Sequence, residues 1–196
     1  MGKKKTIGQG QKISYPTDKF VLIDTGLVAA SYGKKQIIYQ LAGKDQFVFQ
    51  NQLDSHFEAF EYTEYREFQI KDVVVQLEKE KLLDYFLLFL LKKEEKIIQK
   101  LVELGAMHVD KRIHYQLNEI FLLVYGCQIE DKQKGVYNFP LWLKMSVFER
   151  LVRTSPANFS KKLQPLIQKY ILSSHQNPWH INVKLWNTFY KKFCRF

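Results

Sequence analysis

With 196 residues, 46% of them hydrophobic, the chain has enough apolar residues to fold around a core without disulfide or metal cross-links. Its two cysteines, Cys127 and Cys194, form no Cys-x-x-Cys pair and predict neither a disulfide framework nor a zinc site. The basic start leads into polar residues, and the longest apolar run, 82–91, is about half of the roughly 20 residues that cross a bilayer. We therefore expect a cytoplasmic protein with no membrane partner.

The net charge of +10 is concentrated at one end of the chain. Residues 132–196 contain twelve Lys and Arg and a single acid, Glu149, a net charge of +11, whereas residues 1–131 carry −1. A neutral segment joined to a strongly basic one predicts a polyanionic partner held through its phosphates. A solvated basic face with no partner is the alternative that charge alone leaves open.

Residues 6–77 are predicted to be all-β. Turn-forming residues recur roughly every ten positions, a spacing typical of an antiparallel sandwich or roll. The predicted strands are 20–23, 26–28, 36–39, 47–49, 57–62 and 73–75.

The apolar period changes at Glu78. Apolar residues then recur at helical spacing, which predicts one helix of up to about 27 residues that ends near Gly105. Its first half is apolar nearly all round, more than one small sheet can cover. We therefore expect the segment 78–108 to be a dimerisation helix and hinge, paired with the same segment of a second copy.

Two further helices and a connector are predicted next. One helix begins at a cap, Asp110, and stops at Gly126. Residues 131–138 form a polar connector, and a short amphipathic helix follows over 142–151.

A capped helix and a hairpin complete the chain. Arg153 and Thr154 make a tight connection, Ser155 is an N-cap, and Pro156 takes the first position of a helix that runs toward Tyr170. Two short strands around a polar turn are predicted over 171–181, followed by a terminal helix. That helix contains Leu185, Trp186 and Phe189.

The order helix, short turn, capped helix and hairpin is that of a winged helix-turn-helix, whose second helix enters the major groove of DNA. Asn158 suits adenine, and Lys161 and Lys162 suit phosphate or guanine. Ordinary solvated residues of a packed helix are the alternative for each. The predicted DNA-binding residues are Lys144, Arg153, Thr154, Ser155, Asn158, Ser160, Lys161, Lys162 and His175.

The predicted fold class is α+β. It combines a short antiparallel β-roll, jelly-roll-like and sensor-like, over 1–77, the dimerisation helix and hinge over 78–108, and a winged helix-turn-helix DNA-binding domain over 109–196.

The sequence resembles the Crp/FNR superfamily of transcription regulators over nearly its whole length. The segments 20–28 and 33–39 resemble the strand, glycine and strand of the family's β-roll, and 139–163 resembles its helix-turn-helix. The stretch 121–126 is similar to the branch that contains PrfA. The resemblance implies a homodimeric, sequence-specific regulator that binds double-stranded DNA at promoters, with RNA polymerase as a further candidate partner.

Departures from the family narrow the expected cofactors. The segment 47–65, where cyclic-nucleotide sensors hold a phosphate, has no glycine and several acids, so we expect no control by cyclic AMP through the usual cassette. No cysteine precedes Cys127, which excludes the N-terminal iron-sulfur cluster of FNR-type members, and no haem signature is present. An unidentified small effector remains open.

The helix-turn-helix also departs from the family. Pro156 and Ala157 replace the Arg-Glu pair that follows the serine in members reading a common palindrome, so we expect a different operator that depends more on Asn158 and Lys161. Arg153 replaces the turn glycine. Pro165 is expected to kink or end the second helix.

Other functional classes have less support. No nucleophile elbow, P-loop or His-Glu-x-x-His motif is present, so no enzyme is predicted. A basic RNA-binding or membrane-surface protein is the alternative function, with Trp179 and Trp186 as stacking candidates, although both suit a domain core. Redox sensing by Cys127 and proton sensing by histidines stay open beside their ordinary packing roles.

Overall fold

The computed structural model describes residues 2–13, 18–34, 36–49, 55–174 and 177–193, and the chain divides into two compact units, Met1–Gly105 and Ala106–Phe196. The first unit holds eight of the described strands. They are β1 (Lys3–Ile7), β2 (Lys12–Ile13), β3 (Lys19–Thr25), β4 (Val28–Tyr32), β5 (Ile37–Ala42), β6 (Phe47–Phe49), β7 (Ser55–Ala59) and β8 (Thr63–Gln69).

These strands form two antiparallel four-stranded sheets, ordered β1-β8-β3-β6 and β2-β7-β4-β5. Side chains alternate across each strand, so one face of each sheet contributes to a common core. The core consists of buried apolar side chains. They include Val21, Ile23 and Tyr65 from one sheet and Val28, Ala30 and Phe57 from the other. The all-β prediction for this region is confirmed through β8, which ends at Gln69.

Residues 73–75, predicted as a strand, instead lie in helix α1 (Ile70–Lys79). Ile70, Val73, Val74 and Leu77 are its half-buried residues, at the i, i+3, i+4, i+7 spacing of one helical face. The three consecutive valines favour a strand locally, but the wider helical period prevails.

The predicted single helix from Glu78 is wrong at its start, whereas its predicted end near Gly105 is correct to within one residue. The chain breaks after α1, where Lys81 has a left-handed φ of 57°, and helix α2 begins at Leu83 and ends at Ala106. Gly105 therefore lies inside α2 and is not its C-cap.

Helix α2 packs on the first sheet through its N-terminal half. The Phe86 ring lies edge-on to Phe20 at 5.7 Å and to Phe47 at 6.3 Å, and Lys93 Nζ donates a hydrogen bond to the Phe47 carbonyl. Among the α2 residues only Leu104 is buried. Its exposed apolar residues include Leu87, Leu91, Ile98 and Val102.

The second unit contains helices α3 (Val109–Tyr125), α4 (Met145–Val152), α5 (Pro156–Gln168) and α6 (Val183–Phe193), and a 3-10 turn over Ile129–Asp131. Its sheet has the order β10-β11-β9, from β9 (Val136–Asn138), β10 (Leu172–Ser173) and β11 (His180–Asn182). The two strands predicted within 171–181 and the terminal helix are confirmed, while residues 175–176 of the predicted turn lie outside the described residues. The third strand, β9, occupies the region predicted as a polar connector.

Helix boundaries in this unit differ from the predictions by a few residues. The N-cap of α3 is His108, so Asp110 lies in the first turn, while Gly126 is the left-handed C-cap as predicted, with φ of 69°. Helix α4 begins three residues later than predicted because Trp142 and Leu143 are buried in the preceding turn. Pro165 does not end α5, which continues for one turn to Gln168.

Candidate nucleic-acid interface

Helices α4 and α5 are joined through an aromatic core. Phe148 on α4 lies edge-on to Phe159 on α5 at 5.5 Å and to Trp179 beside the hairpin at 5.7 Å. All three side chains are buried. These contacts fix the position of α5 against the helix before it and the hairpin after it.

The turn between the two helices is tight and is held from α3. Arg153, the C-cap of α4, has a left-handed backbone with φ of 59°, and its N–H donates to the Glu149 carbonyl at 2.9 Å. From α3, Arg112 Nη1 donates to the Arg153 carbonyl at 2.8 Å, and the buried Gln116 donates to the Leu151 carbonyl at 3.2 Å. The turn thus anchors the carbonyl of an arginine at a left-handed position where glycine is the usual residue.

The N-terminus of α5 has the predicted cap. Ser155 accepts a hydrogen bond from the Asn158 N–H at 3.4 Å, and Pro156 occupies the first turn. The Asn158 side chain donates from Nδ2 to Thr154 Oγ1 at 3.2 Å, which is a second hydrogen bond between Asn158 and the turn.

The outer face of α5 is exposed to solvent. Phe159, Leu163 and Leu166 are buried, as the predicted apolar face requires. The remaining residues of the predicted site on this helix, Asn158, Ser160, Lys161 and Lys162, are exposed, as is Gln164. Helix α5 contains no acidic residue.

The candidate residues differ in their partners within the protein. Lys162 Nζ lies 3.5 Å from Asp110 Oδ1 on α3, a largely exposed ion pair. Lys144 is the N-cap of α4, makes no side-chain cap hydrogen bond, and is exposed. Arg153 and Thr154 are half-buried. His175 lies outside the described residues.

A polar cluster that the sequence analysis missed links α3, the 3-10 turn and α6. Glu130 Oε1 accepts hydrogen bonds from His114 Nε2 at 2.9 Å, Trp186 Nε1 at 2.9 Å and Asn118 Nδ2 at 3.1 Å. Burial raises the pKa of Glu130, but these donors outweigh burial and lower the pKa to about 2. The His114 ring stacks on Trp186 at 4.8 Å. Long sequence separation among these residues hid the cluster.

The electrostatics of the second unit favour an anionic partner. Residues 106–196 contain fourteen Lys and Arg and five acids, a net charge of +9. At least three of the five acids, Asp110, Glu130 and Asp131, already have partners within the unit.

In the described part of the first unit, several basic side chains are already paired with carboxylates. Arg66, the only arginine among residues 1–105, forms a bidentate pair with Asp24, with Nη2 2.8 Å and Nε 2.9 Å from Oδ1. Glu67 is buried between Lys5 at 2.8 Å and Lys19 at 3.2 Å. Residues 50–54 of the segment lie outside the described residues.

Within the described residues, no three His, Cys, Asp or Glu side chains group as metal ligands would. The helices described here include none with the length and hydropathy of a membrane span.

Comparisons with known proteins identify the fold. No family model matches the sequence, and no curated protein matches it closely enough to be counted. Solved structures are similar despite low identity. A protein described as a Crp/FNR-family transcriptional regulator from Eubacterium rectale ATCC 33656 has a TM-score of 0.73 at 10% identity, with 98% of this chain and 89% of that chain covered.

Two more structures agree. FixK2 from Bradyrhizobium japonicum has a TM-score of 0.70 at 13% identity, covering 93% of this chain and 92% of that chain. A cyclic nucleotide-binding domain containing protein from Listeria monocytogenes EGD-e has a TM-score of 0.68 at 19% identity, covering 92% and 89%. The α+β prediction is confirmed, and the chain has the fold of the Crp/FNR regulators.

Proposed function

We propose that this chain is a sequence-specific DNA-binding transcription regulator that acts as a homodimer and inserts α5 into the major groove. The proposal rests on the exposed, capped and acid-free surface of α5. Its N-terminus is capped by Ser155, its outer face is exposed and free of acids, and it belongs to a unit of net charge +9.

The turn before α5 supports the same proposal. A recognition helix must hold its orientation while its outer face contacts bases. Here the Arg112 bond to the Arg153 carbonyl and the Phe148–Phe159 contact fix that orientation from inside the unit. We assign phosphate contacts to Lys144, Arg153 and the hydroxyl groups of Thr154 and Ser155, and a wing contact to His175.

The alternative of RNA or membrane-surface binding has less support. Single-stranded RNA is bound largely by exposed aromatic rings. Trp179 and Trp186 are 3% and 0% exposed and serve as core residues. No comparable observation favours a membrane surface, so duplex DNA is the partner that the unit suits best.

The dimer is proposed from α2. Leu87, Leu91, Ile98 and Val102 lie within about 60° of one another on the helix circumference, since each residue advances by about 100°. They are between 48% and 66% exposed. An apolar helical stripe of this kind is stabilised when it packs against the same stripe of a second copy.

We infer that control does not use cyclic AMP through the usual cassette. The acidic segment 47–65 and the pairing of Arg66 with Asp24 both oppose a bound phosphate. A small effector of another kind, and contact with RNA polymerase at a promoter, complete the proposed regulator. The closer resemblance to the PrfA branch stays a prediction.

The experiment is selection of fragments bound by the full chain from a random duplex library, with the sedimentation mass measured in parallel. We expect an inverted repeat with half-sites about 34 Å apart, one turn of DNA, bound by a dimer. Binding should be unchanged by cyclic AMP. A monomer, or equal affinity for all duplexes, single-stranded RNA and anionic vesicles, would contradict the proposal.

A further inference from the structure

Fewer polar residues on the outer face of α5 are available to contact DNA than the sequence suggests. Two of its polar residues are already engaged inside the protein: Asn158 donates to Thr154 Oγ1 at 3.2 Å, and Lys162 pairs with Asp110 at 3.5 Å. Either residue would have to give up its partner to contact a base. We therefore expect other residues to make the base contacts at the centre of this face.

Helical geometry identifies those residues. With about 100° per residue, Ala157, Lys161 and Gln164 lie within about 40° of the direction opposite Phe159, the buried anchor of the helix. All three are exposed. Ala157 lies one turn nearer the capped N-terminus than Lys161, and it is the N-terminal part of a recognition helix that meets base edges.

Ala157 presents a methyl group where a polar side chain could have made hydrogen bonds. A base edge that faces this methyl exchanges its water for an apolar neighbour, which penalises the polar atoms of guanine, cytosine and adenine. Thymine alone offers an apolar group in the major groove, its C5-methyl, and alanine contacts that methyl in known complexes.

We propose that Ala157 is a specificity-determining residue that selects thymine through its C5-methyl group. Lys161 contacts guanine or phosphate nearby, because four residues of helix advance about 6 Å, less than two base-pair steps of about 3.4 Å. The inference rests on the proposed function, since it names what the same helix recognises.

The test begins with the operator selected by the full chain. Each thymine of one half-site is replaced in turn by deoxyuridine, which removes only the C5-methyl, and the dissociation constant is measured. We expect one thymine whose replacement weakens binding about fourfold, the value for one buried methyl group. In Ala157→Gly the same replacement should have no effect. Lys161→Ala is the matched control and should weaken both duplexes equally.

A second variant keeps the test decisive if Ala157→Gly folds poorly. Ala157→Gln supplies an amide that suits adenine, so repeated selection should change the preferred base at that one position and leave the others. Selective binding with no methyl-sensitive thymine, a methyl effect that persists in Ala157→Gly, or an unchanged selected site for Ala157→Gln would overturn the inference alone. Failure of the unaltered chain to bind duplex DNA selectively would overturn the proposed function with it.

Discussion

Arg112 on α3 donates a hydrogen bond from Nη1 to the backbone carbonyl oxygen of Arg153, 2.8 Å away at the turn before α5. Arg153 holds a left-handed backbone there, a conformation that costs a side-chain-bearing residue about 1–2 kcal/mol. The charged donor offsets part of this cost, because hydrogen bonds to charged groups are among the stronger ones. The same turn thus carries strain and a cation close to the proposed DNA surface.

Replacing Arg153 by glycine is expected to separate stability from binding. Glycine relieves the left-handed strain but adds freedom to the unfolded chain, for a net gain of about 0.5–1 kcal/mol in the free energy of unfolding. Loss of the cation should weaken duplex binding at low salt and reduce the slope of log affinity against log salt by about one per protomer. Urea unfolding and salt-dependent fluorescence anisotropy measure the two effects. Equal salt slopes would remove Arg153 from the phosphate contacts.

Glu130 gives a prediction about pH. Its pKa is lowered to about 2 in the folded protein, so its contribution to stability is present above the ordinary carboxyl pKa and is lost as pH falls from about 4.5 toward 2. The side chain is 37% exposed, and after allowance for solvent screening we expect a loss of about 2 kcal/mol over that range. Urea unfolding of the second unit at stepped pH measures it.

Glu130→Gln should flatten this acid-induced loss, since the amide oxygen still accepts hydrogen bonds but does not titrate. Glu149→Gln on α4 is the matched control and should retain the full pH dependence. If both variants lose stability in acid as the unaltered chain does, Glu130 is not the group responsible.

The strands were predictable where a clear turn and an alternating apolar run coincided. Strand β3 and β6 fall within two residues of their predictions. Strand β8 was missed because Glu67 occupies an inward position between Tyr65 and the end of the strand, which breaks the apolar alternation. Only the three-dimensional fold brings Lys5 and Lys19 to that carboxylate, 62 and 48 residues away in sequence.

The candidate site, too, was predictable only in part from the sequence. The cap at Ser155 and the buried face of α5 follow from local spacing, and the structure confirms both. The pairing of Lys162 with Asp110 and the bond from Arg112 to Arg153 depend on how α3 packs against the turn. No periodicity within one element carries that information, so the sequence treats Lys161 and Lys162 alike while the structure distinguishes them.

The exposed stripe on α2 yields a prediction about assembly. Ile98→Glu introduces a charge at a position that is 57% exposed in the single chain, so folding should be little affected. If the stripe packs against a second copy, burial of that unpaired carboxylate should weaken the dimer by at least a hundredfold. Sedimentation velocity over a dilution series measures the change.

Lys96→Glu provides the control for the α2 variant. Lys96 is exposed and lies about 160° around the helix from Ile98, so it should not meet a partner's stripe. Its substitution is expected to leave the dimer intact. Equal effects of Ile98→Glu and Lys96→Glu would argue against the stripe as the interface.

The two neighbouring lysines of α5 should behave differently in DNA binding. Lys161 projects from the centre of the outer face, whereas Lys162 is directed to Asp110 on α3. Lys161→Ala should therefore reduce affinity for the selected operator by about tenfold or more, as expected for loss of a guanine contact or a close phosphate contact. Lys162→Ala should reduce the affinity by no more than about threefold. Because an exposed ion pair contributes little to stability, this variant should change the free energy of unfolding by less than about 1 kcal/mol. The separate variant Asp110→Ala keeps Lys162, frees it from its partner and removes a negative charge beside α5, so it should bind more tightly than the unaltered chain at low salt and lose that advantage as salt is raised. Titration of each variant with the operator at two salt concentrations tests the set. Equal losses for Lys161→Ala and Lys162→Ala would show that the pairing with Asp110 does not survive on DNA, and that both lysines contact the duplex.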